Sequence, residues 1–253
     1  MTAHLAHIRR HPIKSVGGED LGQIALQAAR RLPGDREWAV LTEAGERHAR
    51  KSQSDGEPDR WMPKTQFLRG VTGHALQAVK GGWQDRRISL THPDRPALSF
   101  DPVTEGAALL DWLRPLWPGD ASPASRLVRG AAIWTDSKWP WISILSLDSL
   151  ADLETRMGQQ IGIDRWRGNL WLKGLPPQAE ADLIGQVIHI GSVELRITDH
   201  ITRCDATSAN SETGSRDCQM LDRLQEFYGH TNFGIFAEVV TGGTIQIGDE
   251  VRL

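Results

Sequence analysis

Cysteine is nearly absent: of 253 residues only Cys204 and Cys218 are thiols. Two cysteines make no disulfide framework. Within one chain they exclude a four-cysteine zinc site and an all-cysteine iron–sulfur cluster. Tyrosine occurs once, against ten tryptophans. No apolar run reaches the roughly 20 residues a membrane helix needs, so no membrane span is expected. The opening "MTAHLAHIRRHPIKS" lacks the apolar stretch of a secretory signal, which favours a cytoplasmic protein. Net charge is only -3, so there is no global basic field and no nucleic-acid polymer is expected as a partner. No G-x-G-x-x-G opens a helix after a strand, which argues against a built-in nicotinamide site.

What is there reads as mainly β with a few helices. Short alternating patterns in "AHLAHIRRHPIKSV", "LGQIALQA" and "GGWQDRRISLTHPD" predict strands, and "REWAVLTEAG" predicts a strand ending in a Gly turn. The polar, Pro/Gly-containing "KSQSDGEPDRWMPK" predicts a loop. Three segments have helical spacing. The first carries Leu109, Leu110 and Leu113 and is limited by Pro115. The second carries Leu150, Leu153 and Met157 behind Ser146 or Asp148 as N-cap, and the third runs from Cys218 to Gly229. The C-terminal third returns to strands: a pattern broken at Gly191-Ser192, a hairpin expected at Gly242-Gly243, a turn at Gly248-Asp249, and a buried face of Ile245, Ile247 and Val251. Many short strands with few helices suggest a β-barrel or a barrel-like fold. The Pro, Gly and Ser of "PGDASPASR" suggest a boundary, dividing the chain into residues 1–120 and 121–253.

Cys204 lies between Arg203 and Asp205, ahead of a run of small polar residues. Three readings are open. It is a structural thiol at a strand end, a hydrolase nucleophile with His200 as base, or a metal-ligating thiolate beside the Arg203 cation. Cys218 reads as a packing thiol. Lys14 and Ser15 in "HPIKS", Arg36 in "GDREW", and Arg165, Arg167 and Asn169 in "RWRGN" each set a cation or donor beside a turn, where an anion can be held.

The stretches "HPIKS", "GDREWAVLTEAG", "ISILSLDSLADL", "RWRGNLWL", "LIGQVIHIGSVELRI", "RCDATSANSETG" and "YGHTNFGIFAEVVTGGTIQIGD" resemble MOSC-domain proteins, in particular the amidoxime-reducing branch. The resemblance runs from residue 11 to 249. It implies a MOSC β-barrel packed with an N-terminal β-rich domain, and molybdenum cofactor held between them. It implies Cys204 as metal ligand and catalytic residue. Lys14, Ser15, Arg36, Ser146, Arg167, Asn169 and Arg203 would be cofactor contacts. The implied activity is reduction of N-hydroxylated compounds. Electrons would come from a separate donor, such as a ferredoxin, a cytochrome b5-like protein or a flavin reductase. A non-catalytic carrier of cofactor or sulfur on Cys204 is the alternative. Asp205 is a candidate proton donor by position alone. The chain departs from the resemblance at Asp205-Ala206, at Asn210-Ser211 and in the polar stretch after "TEAGERHAR".

Overall fold

The computed structural model describes residues 2–53, 62–130 and 136–253. It is mainly β, with four α-helices among the described residues. Eight strands form the principal sheet, in the order 251–252, 187–190, 193–202, 232–241, 142–146, 170–173, 4–10 and 19–21. The pleat explains the sequence pattern. Val193, Leu195 and Ile197 alternate into one core with Leu5, Ile8, Ile144 and Ile235, all essentially buried. Each such side chain contributes about 1.5–3 kcal/mol.

The sheet is not a closed barrel. Its 4–10 strand comes back to the 248–251 segment through one bridge, His4 to Glu250, and three backbone bonds: Leu5 N to Asp249 O (2.9 Å), Gly248 N to Leu5 O (2.8 Å) and Val251 N to Ala3 O (2.8 Å). The turn at Gly248 leaves only Val251–Arg252 as strand there, too short for a continuous ladder. The expected barrel is thus replaced by a strongly curled sheet.

Three helices fall where their spacing predicts. Helix α2 is Gly106–Leu113 and passes at Arg114 into a 3-10 turn containing Pro115. Helix α3, Leu147–Met157, starts at Ser146, whose side chain accepts from Ser149 N, and stops at Gly158 with φ 65°. It crosses between two parallel strands, Ile142–Ser146 and Leu170–Lys173. Helix α4, Met220–Tyr228, begins two residues after Cys218 and packs with α3 around Leu150, Leu153, Met220 and Leu224.

Several expectations are corrected. Glu43–Gln53 is a helix, α1, where a Gly turn was expected. Thr42 Oγ1 accepts from Gly45 N at 3.0 Å, and a side chain at Gly45 would strike the Gln66 carbonyl. This helix also takes in 51–53 of the expected loop, whose residues 54–61 lie outside the described residues. The expected single strand in "GGWQDRRISLTHPD" is a hairpin, Lys80–Gln84 against Arg87–His92, turning at Asp85 with φ 55°. Gly242-Gly243 makes no hairpin. Gly243–Gln246 leaves its predecessor and pairs with Gln23–Leu26, and Gly242 passes so near Leu26 O that a Cβ would clash. Ile245 and Val251 are buried, but Ile247 sits in the following turn, 48% exposed.

Two pairings cross residue 120. Strand His4–Arg10 bonds Leu170–Lys173, and Trp38–Thr42 bonds Ala124–Arg129.

Candidate functional site

Of the chain segments that line a cavity of about 540 Å³, four carry the residues singled out in the sequence. The first is the turn after the 4–10 strand. Backbone bonds from Lys14 N to Trp38 O (2.8 Å), Trp38 N to Pro12 O (3.0 Å) and Arg36 N to His11 O (2.6 Å) fasten the second, the loop at 36–38. The third is the 165–169 loop, and the fourth the end of the 193–202 strand with the 3-10 turn Asp205–Ser208. Lys14, Ser15, Arg36, Arg167, Asn169, Arg203 and Cys204 all line the cavity. Ser146 does not: it is buried and spends its hydroxyl capping α3. Asp205 lies outside the lining as well, accepting from Ser208 Oγ (2.7 Å) and Arg216 Nη2 (2.9 Å).

Six non-glycine residues have positive φ among the described residues, and three line the cavity: Ser15 (63°), Arg36 (49°) and Arg167 (51°). Left-handed backbone at such residues costs energy and persists where surroundings enforce it. Here the enforcers are the arginines. Arg167 donates to Gly17 O (2.7 Å) and Ile13 O (3.3 Å), gripping the turn that holds Ser15 from both sides. Arg36 donates to Arg167 O at 2.6 Å and to the Asp35 carboxylate. Burial and the neighbouring Arg36 push the Arg167 guanidinium down to about 9. Asn169 is also committed: its Oδ1 accepts from Ser143 Oγ (2.8 Å) and its Nδ2 donates to Arg9 O (3.2 Å).

Arg203 positions the thiol. Its three nitrogens donate to Phe233 O (2.8 and 2.5 Å) and Trp166 O (2.9 Å). Its guanidinium lies 5.3 Å from the Trp166 ring centre, and Trp166 stacks on Phe233 at 3.9 Å. Burial pushes it down to about 9 as well, with the Cys204 charge working the other way. Cys204 follows in extended backbone, exposed, with its carbonyl capped by Thr207 Oγ1 at 2.9 Å.

The lining is strongly cationic. Arg165 is neutralised by Asp217 (2.8 Å). Six further cations, Lys14, Arg36, Lys64, Arg69, Arg167 and Arg203, share the lining with one carboxylate, Asp136. That carboxylate pairs with Lys14 and lies 3.7 Å from Lys64. Burial holds the Lys14 ammonium below the usual lysine range, against the pull of Asp136. Lys64, Arg69, Trp141 and Phe236 escaped the sequence reading. Lys64 and Arg69 flank "TQFL" in a segment without a motif, and no motif marks out the two aromatics.

Residues 140–252 match the MOSC domain family. The matched segment covers a little under half of the chain. It contributes Cys204, Arg203, Arg167 and Asn169, whereas Lys14, Ser15 and Arg36 come from outside it. The chain is 32% identical over 122 residues to mitochondrial amidoxime-reducing component 1 of Mus musculus, and 32% identical over 124 residues to the Homo sapiens protein of that name. The matches take in 44% of this chain and 35% and 36% of those relatives, so the chain spans about a third of their length. Among solved structures, the YUAD protein of Bacillus subtilis aligns over 99% of this chain and 94% of its own, at 14% identity and a TM-score of 0.44. No helix among the described residues is long and apolar enough to cross a membrane.

Proposed function

We propose that the cavity binds molybdenum cofactor and that the protein reduces N–O bonds of N-hydroxylated compounds with electrons from a separate donor. One observation carries this reading: the exposed Cys204 thiol opens on the same cavity as Lys14 and Lys64, whose readiness for an anion is seen in their pairing with Asp136. A phosphate-bearing pterin that chelates a soft metal matches such a donor set. Among the described residues no three His, Cys, Asp or Glu gather as a metal site, so a metal held here has to bring donors of its own, as a dithiolene does. The names of the mammalian relatives, which describe amidoxime reduction, support the same chemistry.

When bound, the cofactor supplies two-electron oxygen-atom transfer. The residues do the rest. Cys204 is the protein's thiolate ligand, and Arg203 fixes its loop through the Phe233 and Trp166 carbonyls. Lys14 and Lys64 take the phosphate in place of Asp136. Arg36 and Arg167 hold the Ser15 turn rigid so that the cradle is preformed. The balance is one N-hydroxyl group, two electrons and two protons giving the N–H compound and water. His200 is the histidine of the lining and is assigned proton delivery in this reading.

Protein purified from a host that makes the cofactor is expected to contain about one molybdenum per chain and to reduce benzamidoxime with a reduced viologen dye. NADH alone is expected to be ineffective until a reductase or ferredoxin partner is added. Metal-free protein with a persulfide on Cys204 would instead establish a carrier.

A further inference from the structure

Part of the cavity wall is uncharged and aromatic. Trp141 precedes the 142–146 strand, and Phe236 lies on the neighbouring strand, paired with Ser143. Their rings approach to 5.6 Å, tilted by 37°. Both line the cavity, and Phe236 also packs against the core behind it. Trp139 continues this wall outward, its ring 6.1 Å from Trp141 and nearly parallel at 25°. Pro140 between them stiffens the backbone. The segment is fastened on its other side, where Trp139 N donates to Ser137 Oγ (3.1 Å) and Ser137 O accepts from Arg31 Nη2 (2.7 Å).

Trp139 is 52% exposed, and among the described residues it is the one aromatic in the set of exposed large hydrophobic side chains. An indole this exposed, on a tethered loop at a cavity, offers ring surface to a ligand even with Trp141 and the Lys138 ammonium beside it. Rings at such separations favour an offset-stacked flat partner. The Lys138 ammonium, 5.0 Å from the Trp139 ring, adds a cation at the outer end.

We propose that Trp139, Trp141 and Phe236 form an aromatic subsite for the flat part of the substrate. The preferred substrates are then N-oxygenated compounds whose nitrogen is conjugated to a planar ring. This rests on reading the cavity as the site of N–O reduction, and it deepens that reading by naming the substrate class. The aromatic wall orients the ring, and the N–O group projects toward the side of the cavity that holds Cys204.

Binding tests it apart from turnover. Calorimetric titration of the purified protein with benzamidoxime, acetamidoxime and benzamidine separates the ring from the N–O group. Benzamidoxime is expected to bind about tenfold more tightly than acetamidoxime, with benzamidine retaining most of the gain. Trp141→Ala should bring the ratio of the two amidoximes within about twofold, and Trp139→Ala, at an exposed position that folding tolerates, should cut it about threefold. An unchanged ratio in both variants overturns the subsite. So does a Trp139→Ala effect confined to the Michaelis constant of the electron donor, which would make this face a docking surface. Ring-selective binding without N–O reduction would sink the proposed activity and leave the subsite standing. Reduction without ring selectivity would do the reverse.

Discussion

Each cysteine has an arginine beside it, and the two pairs differ in what neutralises the cation. Arg165 is buried, donates to both oxygens of Asp217 (2.8 and 2.9 Å), and passes 3.6 Å from Cys218 Sγ. Arg203 spends its described hydrogen bonds on the carbonyls of Phe233 and Trp166 and meets no carboxylate in them. One thiol thus lies against a cancelled charge, half-buried, with burial pushing it above the ordinary thiol range. The other is exposed and stands next to a guanidinium that pairs with no carboxylate among the described residues. A carbonyl fixes an arginine in place without removing its field, and a carboxylate does both. The first arrangement suits a ligand thiol and the second a packing thiol.

The most severe way to break this comparison is at the sulfurs. Cys204→Ser is expected to lose bound molybdenum and at least about a hundredfold in N–O reduction. Cys218→Ser should keep both, at a stability cost of about 1 kcal/mol or less. Metal analysis and dye-coupled assays read the two variants together, and a metal-free Cys218 variant beside an active Cys204 variant would reverse the assignment.

The arginines come next. Arg203→Met removes the cation while keeping bulk under Trp166, and should cost about 2–3 kcal/mol of stability. It should also slow alkylation of Cys204 by iodoacetamide. Asp217→Asn takes away the counter-charge of Arg165, with a comparable stability loss of about 1–3 kcal/mol and no effect on that alkylation rate. Equal alkylation rates in wild type and the Arg203 variant would refute the uncancelled field.

The cationic lining can be sharpened without touching either thiol. Asp136→Asn frees Lys14 and Lys64, and inorganic phosphate should bind about threefold more tightly, measured by calorimetry at low salt. Unchanged or weaker binding would mean that the carboxylate does not hold the anion position.

The smallest effect belongs to the packed side. Glu180, buried under α3, accepts from Ser149 Oγ at 2.7 Å, and burial raises its carboxyl above the ordinary range. The folded chain therefore holds this proton more tightly than the unfolded chain. The group's contribution is complete below the unfolded carboxyl value and is lost as pH rises through the raised folded value. Glu180→Gln removes that ionisation, so its melting-temperature advantage over wild type should widen between pH 4.5 and pH 8. A constant difference would show that Glu180 does not titrate in this range.

Sequence periodicity located α2, α3 and α4 because each has an apolar stripe and a stop signal, Gly158 and Gly229 among them. It missed α1, where Gly45 looked like a turn but is needed for the close approach of the Gln66 carbonyl. It misplaced the strand after Gly242, because pairing with Gln23–Leu26 is set by contacts more than two hundred residues apart. The site was legible where a side chain sat in a motif: Lys14, Arg36, Arg167 and Cys204 line one cavity. It was illegible where the fold alone decides. Nothing in "KTQFLR" marks Lys64 and Arg69 as cavity cations. Ser146 shows the converse, a residue placed in the site by resemblance and used by the fold as a helix cap.

The curled sheet has a consequence for the birth of the protein. Strand His4–Arg10 has a local partner in Glu19–Leu21 along one edge, but its other edge finds partners only at Leu170–Lys173 and at the 248–251 segment. At ribosomal speeds of about 5–20 residues per second, it waits on the order of ten seconds or more for the first of them. During that wait Leu5 and Ile8, fully buried in the finished molecule, are open to any passing strand. A nascent chain of this protein is therefore a natural client for a ribosome-associated chaperone that covers short apolar segments.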